Sequence, residues 1–486
     1  MMFFIYLFFF ATKFLDSFRL DPDYGWHIFL GKNIVDRQSL ITNAIGLNHY
    51  KEMQLHDHEW LSDILLYLID RHLGYIFLVI IWLIIYLLII RLSQKTARIM
   101  GKGNLNSISI TTIITMSGLL VYQGIRLQIL IVLAAVLLYY IWNSISSSRK
   151  RFLYYFLIFA IGNNLHGGMI MLLPIPLLLE FKKDNLKASI ILLPILIIAI
   201  LCNPLGIHYF ELMIDYTRND YYISHITEWR PLFSIPIRLL NYILPLAFFL
   251  FILIVNNYWR KIPKKELLLL SIYLFLGLRY IRFFPLFMVI SAPYVAQSTK
   301  DLFSLVKNDR FSKIFYLMVL GFVALLISSE FITAPQKTDT WSDPDYPKNA
   351  MNFIKDHQYK GNFFNPYDWG GYIKGAHQEI DVFIDGRGPQ AMATENKTIL
   401  EVYYDFFSED KTVIEKNLES HQISYVLIQK PANQKLSFFD IRVLKILKTK
   451  KEVFTSPKNN LMVFLANNPK WTKTYEDNLS EIYIKN

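Results

Sequence analysis

The chain has 486 residues, 53% of them hydrophobic, and a formal net charge of +11. So apolar a composition excludes an ordinary soluble protein and marks a polytopic membrane protein. Lys and Arg fall in short clusters between apolar runs, which is topogenic charge and excludes a nucleic-acid face, while the single cysteine, Cys202, excludes an intrachain disulfide framework or a Cys-rich metal site.

The first apolar run, Met2 to Leu15, lacks a basic leader and a small-residue cleavage site, so it reads as a retained first helix rather than a signal peptide. With it, the hydropathy pattern predicts about eleven spans, at 2–15, 74–92, 107–122, 127–143, 152–164, 168–181, 188–203, 238–256, 266–280, 283–298 and 314–332. Several fall short of the roughly 20 residues of a straight span, and the pairs 152–164/168–181 and 266–280/283–298 leave room for re-entrant or tilted helices. Basic residues follow every even-numbered span: Arg91 and Lys95, Arg149 to Arg151, Lys182 and Lys183, Arg260 and Lys261, Lys307 and Arg310. Those loops are therefore cytoplasmic, which places the N-terminus inside. The first loop, the 204–237 loop and the tail are then outside.

The first loop, 16–73, carries helical apolar spacing over Tyr24–Val35 and Glu59–Leu73, as in Trp60, Ile64, Tyr67 and Leu68. It predicts two amphipathic helices on the outer surface. From about residue 334 the composition turns rich in Lys, Asp and Asn. A helix is expected at Lys348–His357 and β-like runs at Val382–Ile384, Ile423–Ile428 and Leu461–Leu465. The expected division is a membrane domain over 1–333, including loop 16–73, and an extracytoplasmic α/β domain over 334–486.

With that topology, carboxylates, histidines and arginines gather at the outer ends of the spans. Asp21, Asp23 and His27 open the first loop, and His56, Asp57, His58 and Glu59 close it. Arg126, His166 in Asn164-Leu165-His166-Gly167-Gly168, Glu228, Arg279 and Arg282 lie in later outer loops. Acidic residues beside lipid are costly, which makes the Asp21-Pro22-Asp23 pair a functional candidate. The same three residues also suit a helix start, with Pro in the first turn. His56-Asp57-His58-Glu59 has metal-ligand chemistry, but two His one residue apart do not share a helical face, and a capped helix start before Trp60 explains it as well. His166 could serve only a tight turn. Arg279 and Arg282 are three apart, share a helical face and lie where positive-inside statistics do not explain them, although snorkelling does.

In the tail, Asp368, Trp369 and Tyr372 belong to a Gly-containing loop expected to be exposed and functional, since paired glycines permit close approach. Asp385-Gly386-Arg387 reads more as a turn held by an Asp–Arg pair than as a ligand site.

An anionic, lipid-linked ligand at the outer surface fits this set, and glycosyl transfer from a polyprenyl phosphate is the matching chemistry. A carboxylate, Asp23 first and Asp21 second, would take the proton of the acceptor hydroxyl. Arg126, Arg230, Arg279 and Arg282 would be candidates to meet the leaving phosphate.

In this order, Asp23-Tyr24-Gly25-Trp26-His27, His58-Glu59-Trp60, Asn164-Leu165-His166-Gly167-Gly168, Asn203-Pro204-Leu205-Gly206, Glu228-Trp229, Arg279…Arg282, Trp369-Gly370-Gly371-Tyr372 and Asp385-Gly386-Arg387 resemble a broad bacterial set of GT-C superfamily membrane glycosyltransferases. The resemblance covers nearly the whole chain. It implies a polytopic α-helical fold, N-in and C-out, in the bacterial cytoplasmic (inner) membrane, with a first-loop Asp as base or organiser of an inverting site. The donor would be a polyprenyl-phosphate-linked sugar, the acceptor a glycan, lipid or protein of the cell envelope, and membrane lipid the surroundings. His27, His56, Glu59, His166, Glu228, Asp368, Trp369, Tyr372, Asp385 and Arg387 would line the substrate site. Some members use a divalent metal such as Mg or Mn and others none; no other cofactor is expected. The rival readings are a polyprenyl-lipid flippase, which would call for mid-membrane charges and an internal repeat that the chain lacks, and a non-catalytic envelope assembly protein.

Overall fold

The computed structural model describes all residues except 1, 102–104, 182–185, 219, 233–256, 307–320, 322–340, 342, 389–390, 395 and 432–458. The expected spans at 238–256 and 314–332 lie outside the described residues. The rest fold as two compact units, Met1–Ser17 with Ile76–Ala334, and Phe18–Tyr75 with Pro335–Asn486. The first loop therefore packs with the tail rather than with the spans it connects, unlike the division expected from sequence. The reason is local: Val382 donates to the Gly46 carbonyl (2.9 Å) and accepts from the Asn48 amide (2.8 Å), so an isolated backbone bridge joins the loop to the tail.

The first unit is helical. Helix Tyr75–Met100 is, among the described residues, the one both long and apolar enough to cross a membrane; Ile108–Leu119, Ile129–Ser144, Gly167–Glu180 and Ser189–Leu201 are shorter apolar helical stretches. About eleven full spans are thus not seen as such. On Tyr75–Met100 one face, Ile76, Phe77, Ile80, Ile84, Leu87 and Leu88, is exposed, while Leu78, Val79, Trp82, Ile85, Tyr86, Ile89 and Ile90 are buried. A continuous exposed apolar face suits lipid rather than water. The expected 168–181 span is broken: a 3₁₀ turn over Gly167–Leu172 leads into a short helix, Pro174–Glu180. Helix Leu105–Leu119 packs closely on Phe284–Val306, where a Cβ at Gly118 would stand 3.0 Å from Met288 Cβ. Its Thr112 and Ser117 hydroxyls, both buried, bond to carbonyls one turn back.

The second unit carries a four-stranded sheet in the order β1-β2-β4-β3, with β1 Asn362–Phe364, β2 Ile423–Gln429, β3 Trp471–Glu476 and β4 Ser480–Lys485. β1 runs parallel to β2, and β4 pairs antiparallel with both β2 and β3. Two expectations change here. Leu461–Leu465 lies in helix Asn460–Ala466, started by Asn459, whose side chain accepts from the Met462 amide. Val382–Ile384 is not a strand, and Val382 makes only an isolated bridge to Leu47. Helix Lys348–Asp356 falls where the sequence placed one. The first-loop helices form at Tyr24–Arg37 and Trp60–Leu73 and pack on each other. Helix Gly370–Ala376 lies on the former so closely that a Cβ at Gly25 would meet Gly371 O at 1.9 Å, and one at Gly371 would meet Pro22 O at 1.8 Å. The paired glycines thus serve a backbone-to-backbone contact.

Candidate functional site

Within the second unit, Asp21 and Asp23 begin the Tyr24–Arg37 helix. Asp21 is buried, and its Oδ1 accepts the Asp23 amide at 3.0 Å. Asp23 occupies the N-cap position, yet its side chain makes no capping bond. Its Oδ1 instead accepts the Trp26 indole N–H at 3.0 Å, and the side chain is half-buried. The Asp385–Arg387 turn packs against this pair: a Cβ at Gly386 would lie 2.0 Å from Asp23 Oδ1 and 2.5 Å from Trp26 Nε1. The turn is set by a bidentate ion pair, Arg387 Nη2 to Asp385 Oδ2 at 2.6 Å and Arg387 Nε to Asp385 Oδ1 at 3.0 Å, both residues being fully buried. Arg387 Nη1 also donates to the Ile45 carbonyl at 2.9 Å, joining the turn to the first loop.

One helical turn beyond Asp23, His27 is buried with Nδ1 2.5 Å from Asp63 Oδ1 and Nε2 3.7 Å from Glu59 Oε2. Glu59 lies 3.6 Å from His58 Nε2 as well. Asp57 Oδ1 accepts the Glu59 amide at 2.9 Å, while Asp57 Oδ2 and Asp63 Oδ2 are buried with no hydrogen-bond donor. Burial, then the neighbouring carboxyl, holds Asp57 well above the usual carboxylate range, and burial does the same to Asp63. Burial pushes the His27 imidazole down against the pull of Asp23, Asp57 and Asp21. Burial thus disfavours charge on Asp57, Asp63 and His27 alike. Sequence reading does not single out Asp63. Its one signal is position: it stands four residues after Glu59 at the start of an amphipathic helix. His56 is half-buried and stands outside this network among the described residues.

The tail loop differs from expectation. Asp368 is exposed, but Trp369 and Tyr372 are 2% and 1% exposed. Trp369 Nε1 donates to the Asp345 carbonyl at 3.1 Å, and the Tyr372 ring stacks on Tyr346 at 5.1 Å. Both rings are core, drawn in by the close approach that the adjacent glycines allow.

In the first unit, Glu228 lies between two arginines, 3.4 Å from Arg126 Nη1 through Oε2 and 3.4 Å from Arg282 Nη1 through Oε1. Partial burial opposes its charge, but Arg282 and Arg126 prevail and hold its carboxyl below the usual range. The Arg282 guanidinium also lies over the Trp229 ring at 4.5 Å. Arg279 ends helix Lys264–Arg279 and lies over Tyr280 at 5.1 Å. Because the helix stops there and Arg282 sits in a 3₁₀ turn, the two arginines do not share a helical face. His166 Nδ1 accepts the Gly168 amide at 2.9 Å. Around it, Asn203 Nδ2 donates to the Asn163 carbonyl at 3.0 Å and Tyr209 Oη donates to Asn163 Oδ1 at 2.8 Å, so the Asn-Leu-His-Gly-Gly and Asn-Pro-Leu-Gly turns form one network. Among the described residues, no group of three or more His, Cys, Asp or Glu is arranged to hold a metal ion.

No family model and no curated protein matches the chain. Among solved structures, it is similar to the oligosaccharyltransferase of Archaeoglobus fulgidus, determined with a tethered acceptor peptide containing the NVT sequon. The TM-score is 0.55 at 12% identity, over 98% of this chain and 73% of that one. At that identity the likeness is one of fold alone.

Proposed function

We propose that this chain is a GT-C-type membrane glycosyltransferase that moves a sugar from a polyprenyl-phosphate donor to a cell-envelope acceptor. The observation that carries this reading is the Asp23 carboxylate. It stands at a helix N-terminus without capping that helix, oriented by the Trp26 indole and seated beside a buried Asp21. A carboxylate so placed can accept the proton of an acceptor hydroxyl. The hydroxyl oxygen then forms the new bond to the anomeric carbon as the bond to the phosphate oxygen breaks, with inversion. Arg126, Arg282 and Arg279 would receive the charge left on the phosphate. Arg126 and Arg282 already share the Glu228 carboxylate, which shows that their fields suit an anion.

The bacterial cytoplasmic membrane, with this chemistry on its outer face, is the location that the charge distribution supports. The test is release of free polyprenyl phosphate from a panel of polyprenyl-phosphate sugars by purified protein with envelope extract, with and without EDTA. Release by the wild type and none by Asp23→Asn is the expected result. Release from no donor, or full release by Asp23→Asn, would overturn the proposal or the role of Asp23.

A further inference from the structure

The second unit holds an open polar cavity of about 430 Å³ that none of the residues assigned above lines. The volume lies within the ~300–1,000 Å³ of small-molecule sites. Its walls come from the first loop (Asn48, Lys51), the end of helix Lys348–Asp356 and its following turn (Lys355, Gln358, Tyr359), the segment Glu379–Asp381, and β2 (Tyr425). These walls are fixed. Asn48 Nδ2 donates to the Phe363 carbonyl at 2.7 Å, and Asn362 Nδ2 to the His421 carbonyl at 2.8 Å. Lys374 Nζ donates to the Ile380 carbonyl at 3.0 Å and reaches Asp381 Oδ1 at 3.5 Å. The turn after the helix closes with Gln358 and Gly361 at φ of +50° and +103°, the latter in a region that favours glycine. It brings the Tyr359 ring to 5.8 Å from Tyr425, which Phe363 backs at 4.8 Å.

We infer that this cavity is a binding subsite for an uncharged oligosaccharide. Its lining holds two lysines and two acids, so it carries no net attraction for an anionic ligand, in a chain whose overall charge is +11. An apolar ligand would displace water from Lys51, Lys355 and Glu379 without replacing its hydrogen bonds. A ligand rich in both donors and acceptors, with an apolar C–H face for the half-buried Tyr359 ring, satisfies all of them, and a glycan has that chemistry. An extended peptide fits less well. β1 is an edge strand, but the Phe363 carbonyl is already taken by Asn48, which blocks strand addition there.

The site is separate from donor chemistry, so it stands or falls independently of the transferase proposal. The experiment is a saturation-transfer NMR and calorimetric titration of the full chain in lipid nanodiscs, with neutral tetrasaccharides of glucose, mannose and N-acetylglucosamine. Polyglycerol phosphate and an uncharged decapeptide are run beside them. The expected result is binding of at least one neutral tetrasaccharide, weakened tenfold or more in Tyr359→Ala and in the double variant Glu379→Gln/Asp381→Asn. The double variant alters exposed residues and keeps the test valid should Tyr359→Ala fail to fold. Binding of no neutral tetrasaccharide, binding unchanged in the double variant, or binding of the phosphate polymer or peptide alone would each overturn the assignment.

Discussion

Replacing Asp57 with Asn tests the buried carboxyl pair directly. In the wild type, Asp57 Oδ2 and Asp63 Oδ2 are buried without a donor, and both groups are held well above the ordinary value of 3.8. The folded state therefore binds this proton more tightly than the unfolded chain does. Its contribution is complete below pH 3.8 and is lost as the pH rises through the folded-state value. An amide at position 57 supplies a permanent N–H to Asp63, removing an unmet acceptor that costs ~1–3 kcal/mol. Above the folded-state value the variant should thus protect the amides of helix Trp60–Leu73 about 5- to 150-fold better than the wild type. Below it the difference should shrink. His27 is pushed down by burial and contributes the opposite slope, stability lost below its ordinary 6.5; the variant also loses the pull of Asp57, which lowers the imidazole further. Hydrogen exchange with mass spectrometry, corrected for the intrinsic pH dependence of exchange, reads the effect segment by segment. Identical pH profiles for the two proteins would refute the raised carboxyl at position 57.

Asp23→Asn should keep the fold, since the amide can still accept from Trp26, and should lower donor turnover by roughly 10²- to 10⁴-fold in the polyprenyl-phosphate assay. Gly371→Ala should destabilise the second unit by ~1–3 kcal/mol or more, measured as lost exchange protection in helix Tyr24–Arg37, because the added methyl meets Pro22 O at 1.8 Å. Glu228→Gln leaves Arg126 and Arg282 without their carboxylate, so inorganic phosphate or a polyprenyl-phosphate analogue should bind more tightly in a calorimetric titration; unchanged affinity would remove Glu228 as a competitor for that anion. Asp385→Ala should strand the buried Arg387 and cost ~3–5 kcal/mol in unfolding experiments, whereas Asp368→Ala, at an exposed position, should cost little.

The first-loop helices were legible because their apolar residues repeat at helical spacing, and the Lys348 helix for the same reason. The strands β3 and β4 were not, since Trp471–Glu476 is largely solvent-facing and Ser480–Lys485 places Ser480 and Glu481 in buried positions, against the usual alternation. Leu461–Leu465 misled because a five-residue apolar run has no period, and only the Asn459 cap distinguishes helix from strand. At the candidate site, Asp21, Asp23, His27 and Glu59 stood out as costly groups beside an apolar span. Asp63 did not, because its role depends on His27, thirty-six positions earlier in the chain, and such a pairing has no local signature. Trp369 and Tyr372 illustrate the converse. Polar and aromatic residues beside glycines look like a binding loop, but the glycines here admit a neighbouring backbone and take the rings inward.

The bonds between the first loop and the tail also bear on the order in which the second unit forms. Leu20 binds Asp343, and Ile45 binds Arg387, across separations of 323 and 342 residues. Contacts so distant form late, after the loop-closure cost of the intervening chain has been met. During synthesis, Asp23 therefore precedes by a long stretch of chain the Gly386 turn that packs against it. A chain released before that turn would keep the Asp23–Trp26 bond but lack the backbone that covers it.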